Sequence, residues 1–246
     1  MAKIYNKIFF DFDSTLIKGE SLDLLGDICG IGEKVKELTD LSMNGQVPLE
    51  QIFKEKVDLI SPSSKQVQQV AGKCLAIIVD DVPEVIKALQ FLGKEVFILS
   101  SNFHQIVDGV AEFLAIPLVN VIANNFYFDD IGNYIGFDHQ SQLCFSSGKG
   151  KILESKINPK DKVVFIGDGS SDISVKGVAD LFIGFGGVVS RKIVKDGADV
   201  YLKYPSMAPL LLVILNPTEL NKLKDSGFKD LIAKAEKLTT TTKMVA

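Results

Sequence analysis

Five short apolar runs recur along the chain, each followed by residues at helical spacing: KIFFDF (7–12), EVFILS (95–100), LVNVIA (118–123), KVVFIG (162–167) and DLFIGF (180–185). Continuous rather than alternating apolar residues suit strands buried on both faces, as in a parallel sheet. Helical patterns at 82–92, 103–115 and 149–157 supply the right-handed crossovers that parallel strands require. The predicted fold class is α/β, a Rossmann-like parallel sheet core. One stretch departs from this pattern. FYFDDIGNYIGF (126–137) alternates aromatics around an Asp-Asp-Ile-Gly-Asn turn and predicts a β-hairpin.

Residues 18–79 carry apolar positions only at helical spacing (Leu22, Leu25, Ile28; Val35, Leu38, Leu41; Ile52, Val57; Val67, Val70). They predict a helical insertion over the sheet, between core segments 1–17 and 80–215. SPSS (61–64) marks a helix start inside it, with Ser64 as the expected N-cap. Beyond the core, 216–246 predicts a helical extension. Asn216 is its N-cap, Pro217 its first helical residue and Glu219 the partner of a capping box. Leu220, Leu223, Leu231, Ala235 and Leu238 form an apolar stripe there, and Gly227 is expected to divide it into two helices. The stripe is expected to pack on the core, the alternative being a dimer contact. TTTT (239–242) reads as a frayed tail.

The chemistry is concentrated where strands end. Open parallel sheets bind ligands beyond the carboxyl ends of their strands. There the chain places Asp11-Phe12-Asp13-Ser14-Thr15, then Ser100-Ser101-Asn102, then Gly167-Asp168-Gly169-Ser170-Ser171-Asp172, while SSGKGK (146–151) opens a helix with Lys149. Strand alternation would put Asp11 and Asp13 on one face, where like charges raise each other's pKa unless a cation holds them ionised. The bland reading is a solvated acidic strand end. The chemical reading is phosphoryl transfer: Asp11 as nucleophile forming an aspartyl phosphate, and Asp13 as general acid and then base. In that reading Mg²⁺ is held by carboxylates (Asp11, Asp13, Asp168, Asp172), and Lys149 and Ser100 stabilise phosphoryl charge.

Composition limits the partners. Net charge is −4 with a sequence pI near 5.3, which leaves no general basic footprint for nucleic acid. The longest apolar stretch near the C-terminus, APLLLVILNP, is too short to span a bilayer. Three scattered cysteines (Cys29, Cys74, Cys144) have no metal-ligand spacing and suit a reducing, cytoplasmic setting. A small phosphorylated metabolite is the expected partner, with no nucleic acid and no membrane, for a monomer or homodimer. The basic residues are lysine except Arg191. His104 and His139 read as surface histidines.

From Asp11-Phe-Asp13-Ser-Thr15, EVFILSSNF, SSGKGK and GDGSSD in this order, the chain resembles the haloacid dehalogenase superfamily, and within it the phosphoserine phosphatases, over roughly 7–212. The resemblance implies a helical cap at 18–79 that closes over the substrate. It also implies O-phosphoserine hydrolysis, with Glu20 meeting the substrate amine, Met43 and Ser171 lining the pocket, Arg191 near the phosphate, and Ser101 and Asn102 beside the substrate. Two positions depart from the pattern. Lys56, in FKEKVDLI, stands where the family has an arginine for the substrate carboxylate, and Ser100-Ser101-Asn102 replaces Ser-Gly-Gly. These leave open another small ester, such as a phospho-amino alcohol or phosphohomoserine. A signalling domain phosphorylated on aspartate is a remote alternative, because it needs neither a lid nor an acid such as Asp13.

Overall fold

The computed structural model describes residues 4 to 243. The chain runs β1 (Lys7–Phe10), α1 (Ser21–Ile28), α2 (Gly32–Met43), α3 (Leu49–Ile60), α4 (Ser64–Ala76), α5 (Val82–Phe91), β2 (Glu95–Phe103), α6 (His104–Phe113) and β3 (Val121–Asn124). It continues through β4 (Phe126–Phe128), β5 (Tyr134–Phe137), α7 (Gly148–Lys156), β6 (Val163–Gly167), β7 (Leu181–Phe185), α8 (Lys192–Gly197) and β8 (Val200–Leu202). The last helices are α9 (Leu210–Ile214), α10 (Pro217–Lys224) and α11 (Lys229–Lys243).

Six strands form one sheet in the order β3-β2-β1-β6-β7-β8, each neighbouring pair parallel. β1 is central and fully buried, because Ile8, Phe9 and Phe10 meet apolar layers on both faces. Phe9 registers with Phe97 and Phe165, and its ring stacks on Phe97 at 4.4 Å. Phe10 registers with Ile98 and Ile166. That register brings the ends of β1, β2 and β6 to one level, so Asp11, Ser100 and Asp168 emerge together. The strand order reverses between β1 and β6, which is where such sheets open a crevice.

The chain leaves the sheet after Ile17 and returns at Ile78, and these two residues pair as an isolated antiparallel bridge. Between them α1–α4 bury Leu25, Val35, Phe53, Val57 and Val70 against one another and the core. The β4–β5 hairpin braces this layer. Phe103 stacks on Phe126 at 3.6 Å, and Phe53 from α3 packs on Phe103 and edge-on to Phe137. Tyr134 Oη donates to Asp58 at 2.8 Å, and Ser64 N donates to Gly132 O at 2.9 Å. Aromatic packing and two bonds thus fix α3, the helix that carries Lys56. Among the described residues, no helix is long and apolar enough to cross a membrane.

Several local expectations are corrected. β1 stops at Phe10, so Asp11 and Asp13 lie in a loop with Ser14 at φ +51° rather than on one strand face. Only the end of LVNVIA is strand; Pro117 starts a 3₁₀ turn over Leu118–Asn120. Ser63, not Ser64, caps α4, in a reciprocal pair with Gln66. β8, too short to stand out as an apolar run, extends the sheet at its edge. Thr239 and Thr240 belong to α11, where their hydroxyls bond back to Ala235 and Glu236 carbonyls and keep the helix wound.

The Asn216–Glu219 capping box forms as the residues predict, and Gly227, at φ +87°, separates α10 from α11. Leu223, Ile232 and Ala235 are buried against the core rather than presented to solvent. Lys94 Nζ reaches Glu219 at 2.6 Å, tying α10 to the sheet.

Candidate active site

A closed cavity of about 470 Å³ lies between the strand ends and α1–α3. The core lines it with Asp11, Asp13, Ser100, Ser101, Asn102, Lys149 and Ser171. The opposite wall brings Glu20, Leu22, Ser42, Met43, Leu49, Phe53 and Lys56.

Lys149, in the first turn of α7, places its ammonium 2.7 Å from Asp11 and 2.6 Å from Asp172. All three side chains are almost completely buried. Asp172 is held in turn by the Gly169 N–H at 2.8 Å. Asp168 takes the Thr15 hydroxyl at 3.1 Å and a short ion pair from Arg191. The GDG turn must be glycine on both sides: a Cβ on Gly167 would meet Asp172 at 2.3 Å, and one on Gly169 would meet the Met43 methyl at 2.8 Å. Asp11, Asp168 and Asp172 each offer an oxygen within 4.8 Å of the others.

The electrostatics of this group call for a cation. Burial, and then Asp172, push Asp11 up to about 7 against the opposing pull of Lys149. Burial also holds Asp168 well above the usual carboxylate range despite Arg191. Lys149 is drawn down by burial but raised on balance by Asp11 and Asp172. Hard oxygen donors, three carboxylates and a shortage of positive charge suit a divalent ion of the Mg²⁺ kind.

Asp13 stands apart from that group. Its carboxylate accepts from Ser21 N at 2.9 Å and from Asn102 Nδ2 at 2.9 Å. Burial, and then Glu20, raise its pKa well above the usual range, against the Ser21 N–H. The carboxylate expected as a fourth metal ligand is thus engaged elsewhere. Arg191 is not among the cavity-lining residues: its guanidinium bridges Asp168 and Glu20, the latter at 3.2 Å, and Glu20 also takes the Ser14 hydroxyl at 2.7 Å.

Lys56 is 7% exposed and reaches the Thr39 hydroxyl at 3.3 Å, with no carboxylate within ion-pair distance among the described residues. Thr39 leans on Asp23, whose carboxyl is raised to about 6, first by burial. Leu49, Phe53 and Lys56 share one face of α3, a helical spacing that could have nominated the first two as pocket residues. Thr15 stands inside the first motif yet its hold on Asp168 depends on a residue 153 positions away. Ser21 carries no local signal at all.

A family model for haloacid dehalogenase-like hydrolases matches residues 8–175. The chain belongs to that family. As a haloacid dehalogenase-like hydrolase it is 40% identical to human phosphoserine phosphatase over 198 residues, covering 79% of this chain and 88% of the human protein. A phosphoserine phosphohydrolase-like protein from Francisella tularensis superposes with a TM-score of 0.76 at 26% identity, over 85% of this chain and all of that one. A phospho-aspartyl intermediate analogue of phosphoserine phosphatase superposes at 0.74 with 28% identity, over 87% of this chain and all of that one. Within this hydrolase family, the chain is a phosphatase-type enzyme with a buried acidic group able to hold a divalent metal.

Proposed function

We propose that the enzyme hydrolyses O-phosphoserine to serine and phosphate through an aspartyl phosphate on Asp11. The observation that carries this reading is the buried Asp11 carboxylate, held by Lys149 in a closed cavity whose far wall presents the buried ammonium of Lys56. A cavity with a nucleophile at one end and an uncommitted cation at the other suits a small ester bearing a second negative group. The relatives named phosphoserine phosphatase support the choice of ester, and the phospho-aspartyl analogue supports the intermediate.

In the first step an Asp11 oxygen attacks phosphorus and the bond from phosphorus to the serine oxygen breaks. Asp13 gives its proton to the departing alkoxide; its raised pKa, set by burial, keeps that proton available. In the second step Asp13 takes a proton from water, which attacks phosphorus, and the bond to Asp11 breaks with release of phosphate. Mg²⁺, held by Asp11, Asp168 and Asp172, supplies charge neutralisation at the phosphoryl oxygens. Lys149 steadies Asp11 and the transferring group. Ser100 donates to a phosphoryl oxygen, and Ser101 Oγ, buried without a partner in this structure, is free to donate beside it. Arg191 holds Asp168 and Glu20 in place. Glu20 meets the substrate amine, Lys56 its carboxylate, and Met43 and Ser171 close the pocket.

Lysine is a point charge without the bidentate fork of arginine, which favours a second reading, hydrolysis of another small phosphate ester. Phosphate release from O-phosphoserine, phosphoethanolamine and phosphohomoserine, with Mg²⁺ and with EDTA, separates the two. Preference for O-phosphoserine that depends on Mg²⁺ is expected. Turnover of the other esters with none of O-phosphoserine would overturn the substrate assignment.

A further inference from the structure

Asn102, at the end of β2, commits both ends of its side-chain amide inside the protein. Its Oδ1 accepts the Phe103 N–H at 2.7 Å, which turns the nitrogen end the other way. Nδ2 then donates to Asp13 Oδ2 at 2.9 Å and makes a short contact with Ser21 Oγ. Ser21 meets the same carboxylate twice, N to Oδ1 at 2.9 Å and Oγ to Oδ2 at 3.3 Å. Asn102 is 2% exposed and Ser21 is fully buried, so solvent hardly competes for these bonds. The end of β2, the loop after β1 and the first residue of α1 therefore converge on one carboxylate.

We propose that Asn102 is a positioning residue for proton transfer: its amide fixes the Asp13 carboxylate instead of gripping the substrate. This role rests on Asp13 being the general acid and base of the proposed reaction. The terminal torsion of an aspartate is soft and roughly twofold. Donors on two different oxygens, Ser21 N on Oδ1 and Asn102 Nδ2 on Oδ2, remove that freedom. A carboxylate has about four lone-pair sites, so some remain for the leaving oxygen in the cavity that Asp13 lines. Proton transfer needs the partners within about 2.6–3.2 Å. A displacement of about 1 Å is enough to cost on the order of 100-fold in rate.

Steady-state kinetics of Asn102→Ala on O-phosphoserine and on p-nitrophenyl phosphate test the proposal, because an alkoxide needs a proton to leave and p-nitrophenolate does not. For O-phosphoserine, kcat is expected to fall about 10- to 100-fold while KM moves less than about threefold. The loss on p-nitrophenyl phosphate is expected to be at least about tenfold smaller. An equal loss of kcat on both esters, or a loss expressed only in KM, overturns the proposal. Circular dichroism checks the fold, and Asn102→Asp, of the same size but without the N–H donor, is expected to show the same discrimination should the alanine variant unfold. If the wild-type enzyme ignores O-phosphoserine but cleaves another alkyl phosphate, the substrate reading fails, and the same comparison on that ester still decides the role of Asn102.

Discussion

Replacing Lys149 by methionine tests whether the site is held together by charge. The side chain keeps its length and apolar stem but loses the ammonium that lies 2.7 Å from Asp11 and 2.6 Å from Asp172. Removing one partner of a buried ion pair costs about 3–5 kcal/mol, because the remaining charge is left without compensation. For a chain of this size that corresponds to a fall in Tm of roughly 6–20 °C. The pH dependence has a defined sign. Asp11, raised to about 7 in the fold from an ordinary 3.8, binds a proton in the native state that the unfolded chain releases. Its contribution is present in full below pH 3.8 and is lost as pH rises through about 7. Without Lys149 its native pKa climbs further, so the methionine variant loses more at high pH. Thermal unfolding in EDTA is therefore expected to show a smaller difference from wild type at pH 5.5 than at pH 8. Equal Tm values at pH 8, or a larger deficit at pH 5.5, would refute the assignment of Lys149 as the counter-charge of this acidic group.

Asp11→Asn should abolish turnover, with a loss of at least about 10³-fold in kcat and an unchanged far-UV spectrum, because the amide is no nucleophile; a variant with near wild-type rates would end the covalent mechanism. Lys56→Ala should raise KM for O-phosphoserine about 10-fold or more while leaving phosphoethanolamine, which lacks the carboxylate, within about threefold, and similar changes on both would remove Lys56 from carboxylate recognition. Truncation after Pro217 removes Leu223, Ile232 and Ala235 from the core and strips Lys94 of Glu219. The truncated chain should unfold at least about 10 °C lower, yet any folded fraction should keep its Mg²⁺ requirement, and an altered metal requirement would show that the extension reaches the site.

Features set by neighbours in the chain were legible from the residues. Continuous apolar runs could only be buried strands, and their ends had to carry the chemistry, which located Asp11, Ser100, Lys149 and Asp168 before any coordinate. The Asn216–Glu219 capping box and the break at Gly227 are likewise local, since each satisfies backbone groups within one turn of itself. Other features were settled by elements far apart in sequence. Strand alternation suggested one face for Asp11 and Asp13, but the early end of β1 and the turn at Ser14 sent Asp13 to Ser21 and to Asn102, 89 residues on. Arg191, in sequence a candidate for phosphate, pairs with Glu20 across 171 residues, because α8 and the start of α1 meet over the GDG turn. Chain periodicity records which face of an element is buried, but not which distant carboxylate waits there; that choice belongs to packing, where a buried donor takes whichever acceptor the fold brings within 3 Å or so.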